Sequence, residues 1–487
     1  MISAVYVYRA DSEHELYPYE PVDPYGLSQY TRNPPPRHLP PGRIRNFDLD
    51  NIGPERRARI RIREAIAVGD DRESQILRVD IMEPPIIERS THASLIVDGK
   101  TEEGIRKSPI TRTLVPKVYD AEFRPSDWGA PWSNVEQADG EFAREHGAYK
   151  YCYEQGRTGG QHLLPEFFGG WAMVVDDGPG KTRQVGLTLM EDIRGFSVEN
   201  LCYREVTEKW EGPLEPTDRP VGFLKSDNES IYMDIDLAFR KDVMKRALDG
   251  IVNNLHIGVE HRDFEPANLF ITMRNVHNDE TKLRVVLLDH TFTQVWSKTT
   301  YAATNGERYC HQALPYPAHP YFRFGILAMD RYVGWYPMDY DDDKEFDEWL
   351  LSDEVFGPLR EARDEMSELR ATRMAWVSAL RKTGDVAEEK LRGDVKWPHE
   401  YPKYSMFSTL DEIQEMRRKG LSAVFNRLRQ MRLGSEERTK EGLKAEKQSA
   451  ENLREMGDAM RALQQKQRQM DEQVLERALI ARLKKLP

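Results

Sequence analysis

The stretch Gly258-Val259-Glu260-His261-Arg262-Asp263-Phe264-Glu265-Pro266-Ala267-Asn268-Leu269-Phe270 decides how this chain is read. It sets a His, an Asp and an Asn at fixed offsets in a Pro-containing loop, with an apolar run on either side. Further along comes a second apolar run that ends on an acid, Val285-Val286-Leu287-Leu288-Asp289. That order suits phosphoryl transfer, in which one Asp orients a hydroxyl while an Asn and a second Asp hold magnesium on the phosphates.

The residues before the loop predict a helix. Ile235, Phe239, Val243, Ala247, Ile251 and Leu255 recur at every fourth position, as on the apolar face of an amphipathic helix. After the loop, residues 269–273 and 283–288 predict two strands joined by a polar turn around Asn278 and Asp279. Such a hairpin brings Asn268 and Asp289 to neighbouring strand ends.

Nearer the N-terminus, residues 58–68 alternate apolar and charged positions and are followed by the turn Gly69-Asp70-Asp71 and a second strand over 75–81. Together they predict an antiparallel hairpin. Residues 111–120 read as a further strand whose apolar run is broken by Lys117, and lone lysines there usually reach for water. Residues 135–155 predict a helix that carries Glu145 four positions before Tyr149, on one face. Residues 163–171 read as a loop leading to a strand over 172–175, and 185–190 as a strand ending at Glu191-Asp192-Ile193.

Bulk properties set limits. A chain of 487 residues has room for two or three domains. Hydrophobic residues at 39% and charged residues at 31% describe a soluble globular protein. A formal net charge of −12 argues against general nucleic-acid binding, which needs a basic footprint. No apolar run approaches the roughly eighteen residues of a membrane span, and the N-terminus lacks the pattern of a secretory signal. Cys152, Cys202 and Cys310 are scattered, which predicts neither a disulfide framework nor a cysteine zinc site and fits an intracellular, reducing compartment, cytoplasmic or nuclear.

Two flanks have their own character. Residues 1–57, rich in Pro and Tyr, predict a disordered arm. Residues 361–487 are charged and helix-favouring. There Leu453, Met456, Met460, Leu463, Gln467, Met470 and Val474 follow a heptad spacing that fits a long exposed helix or a coiled coil, so residues 435–487 are a candidate for self-association or partner binding.

Taken in order, Lys117, Glu145, Glu191, His261-Arg262-Asp263, Asn268 and Asp289 resemble the protein-kinase-like fold over roughly residues 58–350. Lys117-Val118-Tyr119-Asp120, Glu145 with Tyr149, and Gly334-Trp335-Tyr336-Pro337 look most like fungal kinase-like proteins, which lie near the aminoglycoside and choline phosphotransferases and the protein kinases. The resemblance implies an α+β, two-lobed fold, with the small lobe and hinge over 58–195 and the large lobe over 196–360. It also implies ATP and Mg²⁺ as cofactors. Lys117, held by Glu145, would meet the ATP phosphates, and the backbone near Glu191 and Ile193 would meet the adenine. Asp263 would act on the acceptor hydroxyl, Asn268 and Asp289 would ligate Mg²⁺, and His261 would brace the loop.

The departures bear on activity more than on fold. The turn between the first two strands offers only Gly69 rather than G-x-G-x-x-G, and Glu265 stands where protein kinases usually place a Lys. Asp-Phe-Gly is replaced by Asp289-His290-Thr291, which removes a flexible Gly, and no Ala-Pro-Glu follows. Two functions follow as expectations: an ATP- and Mg²⁺-dependent phosphotransferase acting on a hydroxyl of a protein or small molecule, or a pseudokinase that serves as a binding scaffold through its tail.

Overall fold

Alternation along the N-terminal third builds one sheet. The computed structural model describes residues 3–358, except 27–29, 31–38, 88–89, 96–99, 102–103, 106–112, 126–131, 205, 208–209, 227, 275–281, 301, 303–311, 313–315, 325–328 and 337–342. Strands β1 (Glu13–Pro18), β2 (Ala58–Ala67), β3 (Gln75–Glu83) and β4 (Thr113–Tyr119) join β5 (Phe167–Asp176) and β6 (Thr182–Glu191). They form a closed antiparallel barrel in the order β1-β2-β3-β4-β6-β5. Ile60 and Ile62 of β2, Leu77 and Val79 of β3, and Leu187 and Leu189 of β6 point into a shared apolar core. The intervening charged residues face outward, as a period of two requires.

β1 corrects the expectation of a disordered arm. Leu16 lies opposite Ala58 on β2 and Met173 on β5, so this strand closes the sheet. Tyr19, Tyr25 and Tyr30 beyond it are buried. Proline content suggested an unpacked chain. The partners that order it lie far away in sequence, and local composition does not register them. β5 also starts earlier than expected, at Phe167, through a bulge between Phe167 and Gly170. Gly169 adopts φ +97°, a conformation open to glycine, which hid the strand in the sequence pattern.

Helix α1 (Asn134–Glu154) opens with a capping box, in which Ser133 and Glu136 satisfy each other's main-chain N–H groups. It lies on the outside of the barrel. Phe142 stacks on Tyr119 with ring centroids 5.2 Å apart. A Cβ on Gly186 of β6 would meet the Phe142 ring at 2.5 Å, so glycine is what lets the helix seat this closely. β4 is therefore covered on both faces and buried along almost its whole length.

After β6 the short strand β7 (Gly195–Ser197) pairs with a later strand. A hairpin of β8 (Val221–Ser226) and β9 (Glu229–Met233), which the sequence reading had not placed, follows. Helix α2 (Leu237–His256) then leads into β10 (Val259–Glu260) and the loop that carries His261, Asp263 and Asn268. β11 (Leu269–Thr272) and β12 (Arg284–Leu287) form the expected hairpin, with Leu269 opposite Leu287 and β7 on the outer edge of β11. The turn expected around Asn278 and Asp279 lies outside the described residues. β13 (Gln294–Val295) returns to pair with β10.

Trp335 and Tyr336 are buried, and Arg240 of α2 donates to the carbonyls of Gly334 and Trp335 at 3.1 and 2.9 Å. The expected tail, 361–487, with its heptad pattern, lies outside the described residues, all of which belong to one unit, Met1–Phe407. Among the described residues no helix is long and apolar enough to cross a membrane.

Candidate active site

Lys117 comes from the middle of β4, where strand and helix bury it. A buried ammonium must be paired or lose its charge. Its Nζ lies 2.6 Å from Glu145 Oε2 on α1 and 2.7 Å from Asp289 Oδ1 just after β12. Burial alone would lower the Lys117 pKa, but Asp289 and Glu145 outweigh it and hold the group firmly charged. Burial likewise works to raise the Asp289 carboxyl, yet the charge and hydrogen bond of Lys117, helped by Thr291, hold it well below the usual carboxylate range. The Asp289 side chain remains 40% exposed, so one face of the cluster opens to solvent.

Two residues that sequence reasoning passed over complete this cluster. Tyr119 donates its hydroxyl to Glu145 Oε2 at 2.6 Å. Thr291 Oγ1 lies 3.1 Å from Glu145 Oε2 and 2.8 Å from Asp289 Oδ1, with its proton to offer to either. Tyr119 was findable, since it lies two positions from Lys117 on the same strand face. Thr291 was read only as a missing glycine. It sits in a short 3₁₀ turn, His290–Phe292, where no glycine is needed. The unusual backbone is at Asp289 itself, with φ +61° and ψ +76°.

The loop from His261 supplies the second half. Asn268 Nδ2 donates to Asp263 Oδ2 at 2.8 Å and to the Asp263 carbonyl at 3.2 Å. Burial, then Glu265 and Asp289, push the Asp263 carboxyl upward, against the Asn268 hydrogen bond and the Arg331 charge. His261 bonds through Nε2 to the Leu288 carbonyl at 3.0 Å, and its Nδ1 accepts from the Asp263 amide at 3.3 Å. The Leu288 amide donates to the Asn268 carbonyl at 2.9 Å. These bonds tie the loop to the strand end that presents Asp289.

The expected adenine contacts divide. Glu191 is an anchor: Arg284 grips both its carboxylate oxygens at 2.6 and 3.0 Å in a buried pair, and its amide donates to the Glu166 carbonyl at 3.0 Å. Ile193 is half-buried, and its main chain makes no hydrogen bond to a described residue.

Among the described residues no group of three or more His, Cys, Asp and Glu could hold a metal. The donors at hand are the Asp289 carboxylate and the Asn268 amide oxygen, left over once its nitrogen turns to Asp263. Two such oxygen donors fit Mg²⁺, which takes one or two protein ligands and completes its shell with phosphates and water. The turn after β2 departs from a phosphate cradle. Gln75 holds both the amide and the carbonyl of Gly69, at 2.9 and 3.0 Å. No family model matches this chain and no curated protein matches it, so the site rests on its own geometry.

Proposed function

We propose that the chain is a kinase-like phosphotransferase with the barrel and α1 as its small lobe and the segment from β7 onward as its large lobe. The observation that carries this reading is the Lys117 ammonium fixed between Glu145 and Asp289 at 2.6 and 2.7 Å, beside a loop that pairs Asp263 with Asn268. Lys117 would place the phosphates of ATP. The Ile193 main chain has hydrogen-bonding groups to offer an adenine edge, whereas the Glu191 amide is taken by the Glu166 carbonyl. Asn268 and Asp289 would hold Mg²⁺, which when bound offsets phosphate charge. Asp263 would orient an acceptor hydroxyl and take its proton, and an upward-shifted carboxyl is the stronger base for that task.

A second reading, a binding scaffold with little or no turnover, is favoured by the turn at Gly69, whose amide is already committed to Gln75. Glu265 adds negative charge beside Asp263 where a phosphate would come, only partly offset by Arg331 Nε at 3.7 Å on an exposed pair.

Thermal unfolding with Mg²⁺-ATP tests the first reading. Wild type is expected to be stabilised saturably, by about 2.7 kcal/mol at a hundredfold excess over Kd, and Asp289→Ala to lose the effect. No shift in wild type at millimolar nucleotide would sink it. ATP turnover with Asp263→Ala as control separates the two readings: binding retained with turnover lost identifies an enzyme, and binding without wild-type turnover identifies a scaffold.

A further inference from the structure

The buried tyrosines of the N-terminal arm meet α1 and the segment after Asp289 together. Tyr25 donates to Asp139 Oδ2 at 2.7 Å, and Arg45 donates to the same oxygen at 3.0 Å. Tyr19 stacks on Phe142 and donates to the Arg45 carbonyl at 2.5 Å. A Cβ on Gly147 would meet Pro24 at 2.8 Å, so the arm lies directly against the helix. Further on, the Tyr30 hydroxyl donates to the Thr293 carbonyl at 3.0 Å and accepts from the Val295 amide at 2.7 Å. Tyr30 is buried and so are Thr293 and Val295. The phenol serves this strand edge as a neighbouring strand would, while β10 holds the other edge.

Arg144 joins all three parts. From α1, its Nε donates to the Thr291 carbonyl and its Nη1 to the Tyr25 carbonyl, both at 2.9 Å. Burying a guanidinium against two main-chain carbonyls rather than a carboxylate is costly, and burial pulls its pKa down. What the arrangement gains is a fixed distance between the arm, the helix that bears Glu145 and the backbone next to Asp289.

We propose that the arm around Tyr19, Tyr25 and Tyr30 is a positioning strap, with Tyr30 and Arg144 clamping residues 291–295 to α1 so that Asp289 stays on Lys117. Its consequence for nucleotide binding rests on the phosphotransferase reading; the clamping does not.

Hydrogen–deuterium exchange of the full chain tests it without nucleotide. In Tyr30→Phe the ring packing stays and both hydroxyl bonds go, so the Val295 amide and its neighbours are expected to exchange about tenfold faster. Amides of β2 and β3 are expected to keep their wild-type rates. Arg144→Met is expected to speed the same segment. Unchanged protection of residues 291–295 in both variants overturns the strap. So does equal acceleration throughout the barrel, which would make Tyr30 a general stabiliser. If wild type binds no Mg²⁺-ATP but the segment loosens as described, the nucleotide reading falls and the strap stands.

Discussion

Asp289 adopts a left-handed conformation that costs a non-glycine residue of order 1 kcal/mol. The surroundings hold it there: Lys117 and Thr291 take one carboxylate oxygen, and His261 and Asn268 fix Leu288 behind it. Thr291→Val keeps the shape and removes the hydroxyl shared by Asp289 and Glu145. It is expected to lower stability by about 1–3 kcal/mol, read by urea unfolding. A change below about half a kcal/mol would show that the hydroxyl is not a structural link.

The two buried histidines beside it set a pH dependence. Burial, with His290 adding to it, pushes His261 down to about 3, and burial pushes His290 down to about 4. In the unfolded chain both protonate near about 6.5. As pH falls below that value the unfolded state takes up protons that the folded state refuses, so stability is full above it and falls toward pH 4. Each histidine contributes a slope of about 1.4 kcal/mol per pH unit. His290→Gln is expected to remove about one such slope between about pH 4.5 and pH 6 in unfolding titrations; an unaltered slope would refute the assignment.

At the scale of elements, the barrel depends on a strand from the arm. Leu16 is fully buried between β2 and β5. Leu16→Ala is therefore expected to destabilise the protein by about 2–5 kcal/mol in calorimetry or denaturant unfolding. A loosely attached arm would give a change within about half a kcal/mol. The helix and strands that flank the loop from Gly258 were legible because each carries its own period: every fourth residue in α2, and apolar runs between polar turns in β11 and β12. β1 and the hairpin of β8 and β9 were not. β1 takes its identity from pairing with segments distant in sequence, and β8 and β9 from pairing with each other, which no period along either strand reports.

For the whole molecule, the proposed self-association through residues 435–487 gives one more expectation. Removing those residues should lower the number of chains per particle, read by light scattering against the mass of each chain, and an unchanged oligomeric state would withdraw the heptad seam as an interface. The candidate site was legible to a similar extent as the elements. Lys117, Glu145, Asp263, Asn268 and Asp289 were all named from their residue types and order, and two clusters joined by main-chain bonds bring them near one another. The backbone near Glu191 and Ile193 was expected at the adenine; that the Glu191 side chain is a buried partner of Arg284 was not legible, because a salt bridge between residues so far apart leaves no mark on either local sequence.

The chemistry on offer is already present in the order of residues: an Asp and an Asn in one loop, an Asp at a strand end, a Lys inside an apolar strand and a Glu on a helix face. Periodicity and residue type carry that information locally. Folding is what sets Lys117 between Glu145 and Asp289, adds Tyr119 and Thr291 to the cluster, and brings a tyrosine-bearing arm to close the barrel and grip the helix. Those outcomes depend on which buried polar groups find partners across the fold, and burial of a charge is settled only when all its neighbours are in place.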